Sequence, residues 1–303
     1  MNSFKIYSSL AEIYGSFEGI LLDAYGVFWG GGEVGLLPHS KELMEQMVRA
    51  GKKVGILSNS TQLVENELKK LQKHGLEKGT HFHFLMTSGQ VAKDLFQVGS
   101  FPFKTTNKKF WLFGTPSPKY ASHQMLFDGS SFQETAQIEE ADFIYISVPH
   151  IQGEDQIDPG CFLEEVKKLK GRSIPMVCVN PDKFAHEGKP PRPVMRQGSI
   201  ATFYEELGGK VFYVGKPSSL MYEAAMREFS HHHLFDASKI VMVGDTPETD
   251  IRGAKRFGMA SALITQTGIM ADRIAKMSLG NALQNLSSSD TPDFYLERLH
   301  NGI

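Results

Sequence analysis

Several short apolar segments of the chain end at polar residues that could carry out chemistry together. Asp23 follows "GILL", Ser58 and Asn59 follow "VGIL", Lys216 follows "FYVG", and Asp245 follows "IVMVG". Two facing carboxylates repel unless a cation lies between them, and oxygen ligands suit Mg²⁺. The lysine, the serine and the amides around Asn59 could share the oxygens of a phosphoryl group. Once the cation and the lysine offset the negative charges, Asp23 could attack phosphorus and form an aspartyl-phosphate.

Asp250 would bring a third negative charge to this set. Each residue alone also has a simpler interpretation. An aspartate after a strand often caps a helix, "SNS" is a good N-cap cluster, and "GD" is an ordinary turn. The ordered occurrence of all these positions in one chain favours the catalytic interpretation.

The elements that would position these residues alternate between short apolar runs and amphipathic stretches. "GILLDAYG" precedes "SKELMEQMVRAG", "KKVGILSNS" precedes "QLVENELKKLQKHG", and "KIVMVGD" precedes "ETDIRGAKRFG" and "ASALIT". This alternation is typical of βαβ units, and continuous apolar strands indicate a parallel sheet buried on both faces. In such an α/β fold the carboxyl ends of the strands line one crevice, so the polar residues that follow them can converge.

The middle of the chain has strand-like runs of its own, "KFWLFG", "ADFIYISV" and "SIPMVCV", with a helix-like "CFLEEVKKLKG" between the last two. A polar passage, "NPDKFAHEGKPPRPVMRQG", then leads to a further βα pattern at "VFYVGKP". We therefore expect an inserted second α/β domain over residues 104–200, between core segments 1–103 and 201–303.

The overall charge argues against some classes of partner. The 303 residues carry 32 Lys and Arg against 34 Asp and Glu, a net charge of -2, so no basic footprint for nucleic acid or an anionic membrane is visible. The two cysteines lack metal-ligand or CxxC spacing, and no run reaches the roughly 18 apolar residues of a membrane span. We expect a cytoplasmic protein without nucleic-acid or membrane partners.

The catalytic positions and their order resemble the haloacid dehalogenase-like hydrolase superfamily, in particular its class IIA. The resemblance also rests on Gly26-Val27 and Trp29 and on "TSGQVAKDL" (87–95), "VNPD" (179–182), "GSI" (198–200) and "VGKP" (214–217). "GDTPETDIRGAKRFGM" (244–259) is its most specific part, and nearly the whole chain is covered. It implies a Rossmann-like parallel-sheet core with an α/β cap of the C2 type, and a phosphatase acting on a small phosphorylated metabolite such as a sugar phosphate or a nucleotide.

The resemblance also implies roles for individual residues. These are Asp23 as nucleophile, Ser58 and Asn59 as phosphate ligands, Lys216 as stabiliser of the phosphate and the intermediate, Asp245 as a Mg²⁺ ligand, Asp250 as a partner behind the ligands, and Asn180 and Asp182 beside the leaving group. Association into homo-oligomers through the cap is a further expectation from the class.

Tyr25 departs from the family pattern. The family's phosphatases usually carry a second aspartate here, which protonates the leaving oxygen and later deprotonates water. The implied metal site survives, because this residue contributes its backbone carbonyl, so the expected ligands are Asp23, the Tyr25 carbonyl and Asp245. The acid-base step at Tyr25 is weakened, since a phenol has a pKa of about 10 and a positioned general acid typically contributes roughly 10²–10⁴-fold in rate.

Two other functions remain open on the sequence. A protein that binds a phosphorylated ligand but turns over slowly or not at all would fit the tyrosine. A metal-independent haloacid dehalogenase would fit "DAYG", but that reading predicts loss of the acidic cluster, whereas Asp245 and Asp250 are both present. The sequence does not identify the substrate. His186, Lys183, Lys189 and Arg192 are candidates for contacting it, and a solvated loop is the simpler interpretation of each.

Overall fold

The computed structural model describes residues 4–120 and 122–300. The first part of the chain forms strands from its continuous apolar runs and helices from its amphipathic stretches. In chain order the elements are β1 (Ile6–Ser9), β2 (Gly19–Leu22), α1 (Ser40–Arg49), β3 (Lys53–Ser58), α2 (Val64–Lys73), β4 (Phe84–Thr87) and α3 (Ser88–Val98).

The middle part consists of shorter elements. They are β5 (Lys109–Phe113), α4 (Gln124–Phe127), β6 (Gln133–Glu134), β7 (Phe143–Ile146), β8 (His150–Ile151), β9 (Glu154–Asp155), α5 (Leu163–Lys167), β10 (Met176–Cys178), β11 (Phe184–Glu187), β12 (Arg192–Met195), α6 (Gln197–Glu206) and β13 (Val211–Tyr213). The strands β11 and β12 pair antiparallel as a hairpin.

The last part returns to longer helices and buried strands. They are α7 (Ser219–His231), β14 (Ile240–Gly244), α8 (Arg252–Phe257), β15 (Ala260–Ile264), α9 (Gly268–Met277), α10 (Leu279–Gln284) and β16 (Phe294–Arg298). A π-helical turn, Pro247–Ile251, precedes α8. Within residues 4–120 and 122–300, none of the helices has the length and apolar character needed to cross a bilayer.

The main sheet has seven strands in the order β1-β16-β15-β14-β2-β3-β4, and every adjacent pair is parallel. Both faces are covered, because alternate strand residues enter different apolar clusters. Leu21 and Met242 pack on one side, and Ile20 and Val243 on the other. The strand order reverses between β2 and β14, and a crevice at such a switch point is where ligands bind in open α/β sheets.

The second sheet has five parallel strands in the order β13-β10-β7-β5-β6. The predicted α/β fold with an inserted smaller α/β unit is therefore confirmed. The expectation that "VFYVGKP" begins with a strand of the main sheet is wrong, because β13 pairs with β10 at the edge of the smaller sheet. A short apolar run does not specify which sheet it joins, since both sheets are parallel and buried. The domain limits at 104 and 200 stay a prediction.

The smaller sheet shares its apolar packing with the main body of the molecule. One of its faces is covered by α5 and α6, with Ile144 and Met176 in that cluster. On the other face, Phe110 and Phe143 join the same cluster as Phe96 of α3. The Phe96 and Phe143 rings are stacked with centroids 6.1 Å apart. The inserted unit, called the cap below, is therefore held against the core by a continuous apolar interior.

Candidate active site

Three of the predicted site residues lie at the carboxyl ends of adjacent strands in the main sheet. Asp23 directly follows β2, Ser58 is the last residue of β3, and Asp245 directly follows β14. The Asp23 amide donates to the Val243 carbonyl at 2.9 Å, which extends the pairing of β2 with β14 by one residue. Because the strands are neighbours at the switch point, their polar termini meet as predicted.

Lys216 reaches the same place by a different route. It follows the cap strand β13 and precedes α7, so the prediction that it ends a strand of the main sheet is wrong. Its side chain is 1% exposed, and its ammonium donates to Asp23 Oδ1 at 2.6 Å and to the Leu57 carbonyl at 2.8 Å. The same nitrogen lies 2.7 Å from Asp250 Oδ1. The lysine therefore bridges two carboxylates beneath the crevice.

Asn59 ties this lysine to the cap. Its Oδ1 accepts from the Lys216 amide at 2.7 Å, and its Nδ2 donates to Asp182 Oδ1 at 3.0 Å. Asp182 in turn donates from its own amide to Asn180 Oδ1 at 2.9 Å. The predicted phosphate ligand Asn59 thus contacts Asp182, which the sequence placed beside the leaving group.

The Asp245 carboxylate is held in place by backbone segments that lie very close to it. Its Oδ2 accepts from the Ile269 amide at 2.7 Å, and its Oδ1 accepts from the Thr246 hydroxyl at 2.8 Å. A Cβ atom on Gly268 would lie 1.8 Å from that Oδ2, and one on Gly26 would lie 2.2 Å from it. Both glycines also have positive φ angles, of 68° and 75°. The two positions therefore accept only glycine without displacing the carboxylate.

Asp250 lies behind this pair, in the π-helical turn. Its Oδ2 accepts from the Thr246 amide at 3.1 Å, while its Oδ1 faces the Lys216 ammonium. The Tyr222 hydroxyl donates to the Asp250 carbonyl at 3.1 Å and holds the turn from below. With both oxygens so engaged, Asp250 is placed to orient Lys216 and the loop after β14.

The site carries more negative than positive charge. Carboxylate oxygens of Asp23, Asp245 and Asp250 all lie within 4.8 Å of one another. Burial raises the pKa of Asp23 well above its ordinary value, although Lys216 opposes this, and burial together with Asp250 raises the pKa of Asp245 to about 7. In the described part of the chain Lys216 is the cation that contacts the cluster.

A bound divalent cation would balance this excess of negative charge. A cluster of oxygen ligands with too little positive charge is the donor set that a hard ion such as Mg²⁺ takes. Asp23 has one oxygen that contacts Lys216, and its other oxygen accepts no hydrogen bond from residues 4–120 or 122–300. These residues therefore provide oxygen ligands suited to the Mg²⁺ ion that the acidic cluster implies.

Tyr25 lies in a small cluster on the core side of the crevice. The Lys70 ammonium of α2 is 5.3 Å from the centre of its ring and is ion-paired with Glu67. Glu67 also accepts from the Ser60 hydroxyl at 2.7 Å. Burial raises the pKa of the Tyr25 phenol, and nearby Lys70 only partly offsets this. The phenol is therefore protonated near neutral pH and is a weak acid.

The crevice between core and cap is a cavity of about 580 Å³, within the roughly 300–1,000 Å³ usual for small-molecule sites. The predicted residues Asp23, Tyr25, Ser58, Asn59, Asn180, Asp182 and Asp245 all line it. Of the cap candidates, His186 lines it, whereas Lys183 and Arg192 line a separate groove. The predicted roles of these residues stay predictions.

Other residues that line the cavity were not anticipated from the sequence. They are chiefly Glu67 and Lys70 on α2, Lys119 and Tyr120 in the cap, and Arg196 and Gln197 at the start of α6. A signal existed for Glu67, because it shares a helical stripe with Leu71, and a carboxylate within an apolar stripe is unusual. For Gln197 the sequence offers no such signal, since the position of this residue depends on the packing of α6 against the loop 181–183.

Comparisons with known proteins agree with this geometry. A family model described as haloacid dehalogenase-like hydrolase matches residues 20–125, and a second, described as HAD-hydrolase-like, matches residues 213–300. These two segments contain the main-sheet strands β2, β14 and their neighbours. The unmatched stretch between them holds most of the cap.

Similar proteins extend over nearly the full chain. Chronophin of Mus musculus is 26% identical over 305 residues, which cover 96% of this chain and 94% of chronophin. A haloacid dehalogenase-like hydrolase of Brucella suis has a similar structure, with a TM-score of 0.76 at 22% identity, covering 97% of this chain and 100% of the other. A possible sugar phosphatase of Cytophaga hutchinsonii aligns with a TM-score of 0.72 at 20% identity, covering 99% and 100%. The two solved structures support the fold.

Proposed function

Because the chain belongs to the haloacid dehalogenase-like hydrolases, we propose that it is a magnesium-dependent phosphatase that forms an aspartyl-phosphate on Asp23. Its substrate would be a small phosphorylated metabolite, either a sugar phosphate or a nucleotide. The observation that carries the proposal is the buried cluster of Asp23, Asp245 and Asp250 around the single ammonium of Lys216. The matching haloacid dehalogenase-like hydrolase model and a structural neighbour described as a possible sugar phosphatase support this proposal.

The metal would be held by the carboxylates of Asp23 and Asp245 and by the Tyr25 carbonyl, with Asp250 behind them. When bound, Mg²⁺ supplies the positive charge that lets a phosphoryl group approach the nucleophilic carboxylate. Lys216 holds Asp23 Oδ1 at 2.6 Å and so orients the other oxygen of that carboxylate. In this proposal Ser58, Asn59 and Lys216 would hold the phosphoryl oxygens.

In the first step the free oxygen of Asp23 attacks phosphorus, a new P–O bond forms, and the bond to the leaving alcohol breaks. The departing oxygen needs a proton, and Tyr25 stands at the position where the family's phosphatases carry their acid, so its phenol is the candidate donor. Because burial raises its pKa, this phenol gives up a proton less readily than a carboxylic acid. The reaction should therefore favour esters whose leaving groups need little protonation.

In the second step water attacks the aspartyl-phosphate and releases inorganic phosphate and the free Asp23 carboxylate. The family uses a carboxylate at position 25 to take the proton from that water. Tyr25 cannot act as such a base near neutral pH, since its phenol stays protonated. Hydrolysis of the intermediate is therefore expected to limit turnover.

The test is hydrolysis of p-nitrophenyl phosphate with Mg²⁺ and with a chelator, by wild type and by Asp245→Asn. We expect Mg²⁺-stimulated activity in wild type and its loss in Asp245→Asn. Asp94→Asn, which changes an exposed aspartate on α3, is the matched control and should behave as wild type. Full activity in chelator with Asp245→Asn unaffected would instead favour a metal-independent dehalogenase.

A cytoplasmic location is also proposed, on the grounds that neither cysteine forms a disulfide. Association through the cap is proposed from the resemblance to class IIA. Sedimentation of the purified protein would test the second proposal, and a single monomeric species would contradict it.

A further inference from the structure

Gln197 has a buried side-chain oxygen that accepts no hydrogen bond from the described chain. The residue is 1% exposed, and its Oε1 has no hydrogen-bond partner among residues 4–120 and 122–300. Gln197 lines the cavity that holds Asp23, and it also lines a small recess of the cap beside Thr115 and Ser147. Buried polar groups are normally paired, so an unpaired amide oxygen beside a substrate cavity points to a ligand.

The backbone on both sides of Gln197 is fixed against the loop before it. The Arg196 amide donates to the Lys183 carbonyl at 2.8 Å, and the Gly198 amide donates to the Asp182 carbonyl at 3.1 Å. A Cβ atom on Gly198 would lie 1.9 Å from the Pro181 carbonyl oxygen, so α6 starts in close contact with the loop. The backbone at Gln197 is thereby held beside the cavity.

The charged side chains in this part of the wall already have partners. The pairs are Lys119 with Asp155 at 2.5 Å, Arg196 with Glu187 at 2.8 Å and Asp155 at 3.5 Å, Lys70 with Glu67, and His186 with Asp272 at 2.7 Å. Away from the catalytic carboxylates, no unpaired cation in the described chain lines this cavity. A second negative charge on the substrate would therefore be buried without compensation.

These observations favour a neutral partner that forms hydrogen bonds. A hydroxyl group both donates and accepts, so it satisfies the Gln197 amide in either of its orientations. We propose that Gln197 determines specificity by binding a hydroxyl group of the leaving alcohol, so that the enzyme prefers phosphate esters of neutral polyols. This rests on the proposed phosphatase function and narrows its substrate class.

Three esters with the same carbon number separate recognition from leaving-group chemistry. Glycerol 1-phosphate carries two hydroxyl groups, propyl phosphate carries none, and 3-phosphoglycerate carries a carboxylate. All three release a primary alkoxide, so the weak acid at Tyr25 affects them similarly. We expect wild type to have its highest kcat/KM on glycerol 1-phosphate and its lowest on 3-phosphoglycerate.

The decisive variant is Gln197→Met, which keeps the size of the side chain and removes its hydrogen bonds. KM for glycerol 1-phosphate should rise roughly two- to ten-fold, the factor expected for one hydrogen bond, while kcat and the values for propyl phosphate stay unchanged. Gln72→Met, at an exposed position of α2, is the matched control. Gln197→Asn, which retains an amide, should recover part of the loss and serves if the methionine variant folds poorly.

Binding to an inactive protein separates this inference from the proposed function. In Asp23→Asn with Mg²⁺, calorimetry should show tighter binding of glycerol 1-phosphate than of propyl phosphate, and Gln197→Met should abolish the difference. If this difference in binding were found but wild type hydrolysed no ester, the phosphatase proposal would be rejected and the recognition site at Gln197 would be retained. Equal effects of Gln197→Met on both neutral esters, no effect at all, or a preference for 3-phosphoglycerate would overturn the inference.

Discussion

At the scale of single residues, Tyr25 decides how fast the proposed reaction runs. Its half-buried ring lies beside Lys70, and desolvation raises the pKa of the phenol, so it is a poor acid and no base near neutral pH. Tyr25→Asp should raise turnover of alkyl phosphates by up to roughly 10²–10⁴-fold, because a carboxyl group would protonate the leaving oxygen and activate water. The gain in kcat/KM on p-nitrophenyl phosphate should be smaller, since its leaving group needs little protonation, whereas kcat on both esters reflects hydrolysis of the same aspartyl-phosphate.

Steady-state kinetics on an alkyl and an aryl phosphate would measure this difference. Tyr25→Asn is the control, because it matches aspartate in size but cannot exchange a proton. Asp23→Asn should eliminate activity on every ester. If Tyr25→Asp gained nothing while wild type hydrolysed no activated ester, a protein that only binds its phosphorylated ligand would be the better account.

At the scale of elements, the start of helix α9 fixes the geometry of the acidic cluster. The Ile269 amide binds Asp245 Oδ2, and the glycine before it leaves no room for a side chain. Gly268→Ala must move either the helix or the carboxylate, and displacement of a reacting group by about 1 Å can cost roughly 10²-fold. We therefore expect a loss of that order in kcat/KM, with a higher Mg²⁺ concentration needed for half-maximal activity.

Gly280→Ala is the matched control, because Gly280 lies in helix α10 with no atom within 4 Å of its added Cβ. It should leave activity unchanged and slightly favour the helix. Magnesium titrations of both variants at one temperature would provide the comparison. Equal activities for the two would show that the fit of Asp245 against α9 does not matter to the reaction.

At the scale of the whole molecule, core and cap share one apolar cluster and should unfold together. Phe96 of α3 contacts the cap rings Phe127 and Phe143, with centroids 4.3 and 6.1 Å away. Phe96→Ala should lower the free energy of unfolding by roughly 3–5 kcal/mol, because it removes a large buried side chain. Since the cluster is continuous, both units should lose this stability in the same transition.

The two tryptophans report on the two units separately, because Trp29 lies in the core and Trp111 in the cap strand β5. Denaturant titrations followed by fluorescence in Trp29→Phe and Trp111→Phe each detect one unit. Coincident midpoints are expected, and Phe96→Ala should shift both equally. Separate midpoints, or a shift confined to one reporter, would mean that the cap folds independently of the core.

The order of residues along the chain was enough to predict polar side chains at the ends of parallel strands. Asp23, Ser58 and Asp245 could be placed together because parallel strands have their carboxyl ends at one edge, which is a property of the local pattern. These three residues lie together in the structure, and Asn180 and Asp182, which the family resemblance places near the leaving group, line the same cavity. The departure at Tyr25 was likewise visible from the order of residues alone.

Contacts between distant segments became apparent in the folded molecule. Lys216 follows a strand of the cap sheet rather than of the main sheet, Asn59 links it to Asp182, and the Gln197 side-chain oxygen is left unpaired beside the cavity. None of these follows from local pattern, because strand pairing and side-chain contacts between segments depend on which of several similar apolar faces pack together. Local chemistry is encoded along the chain, whereas the pairing of distant groups is settled by the packing of the folded molecule.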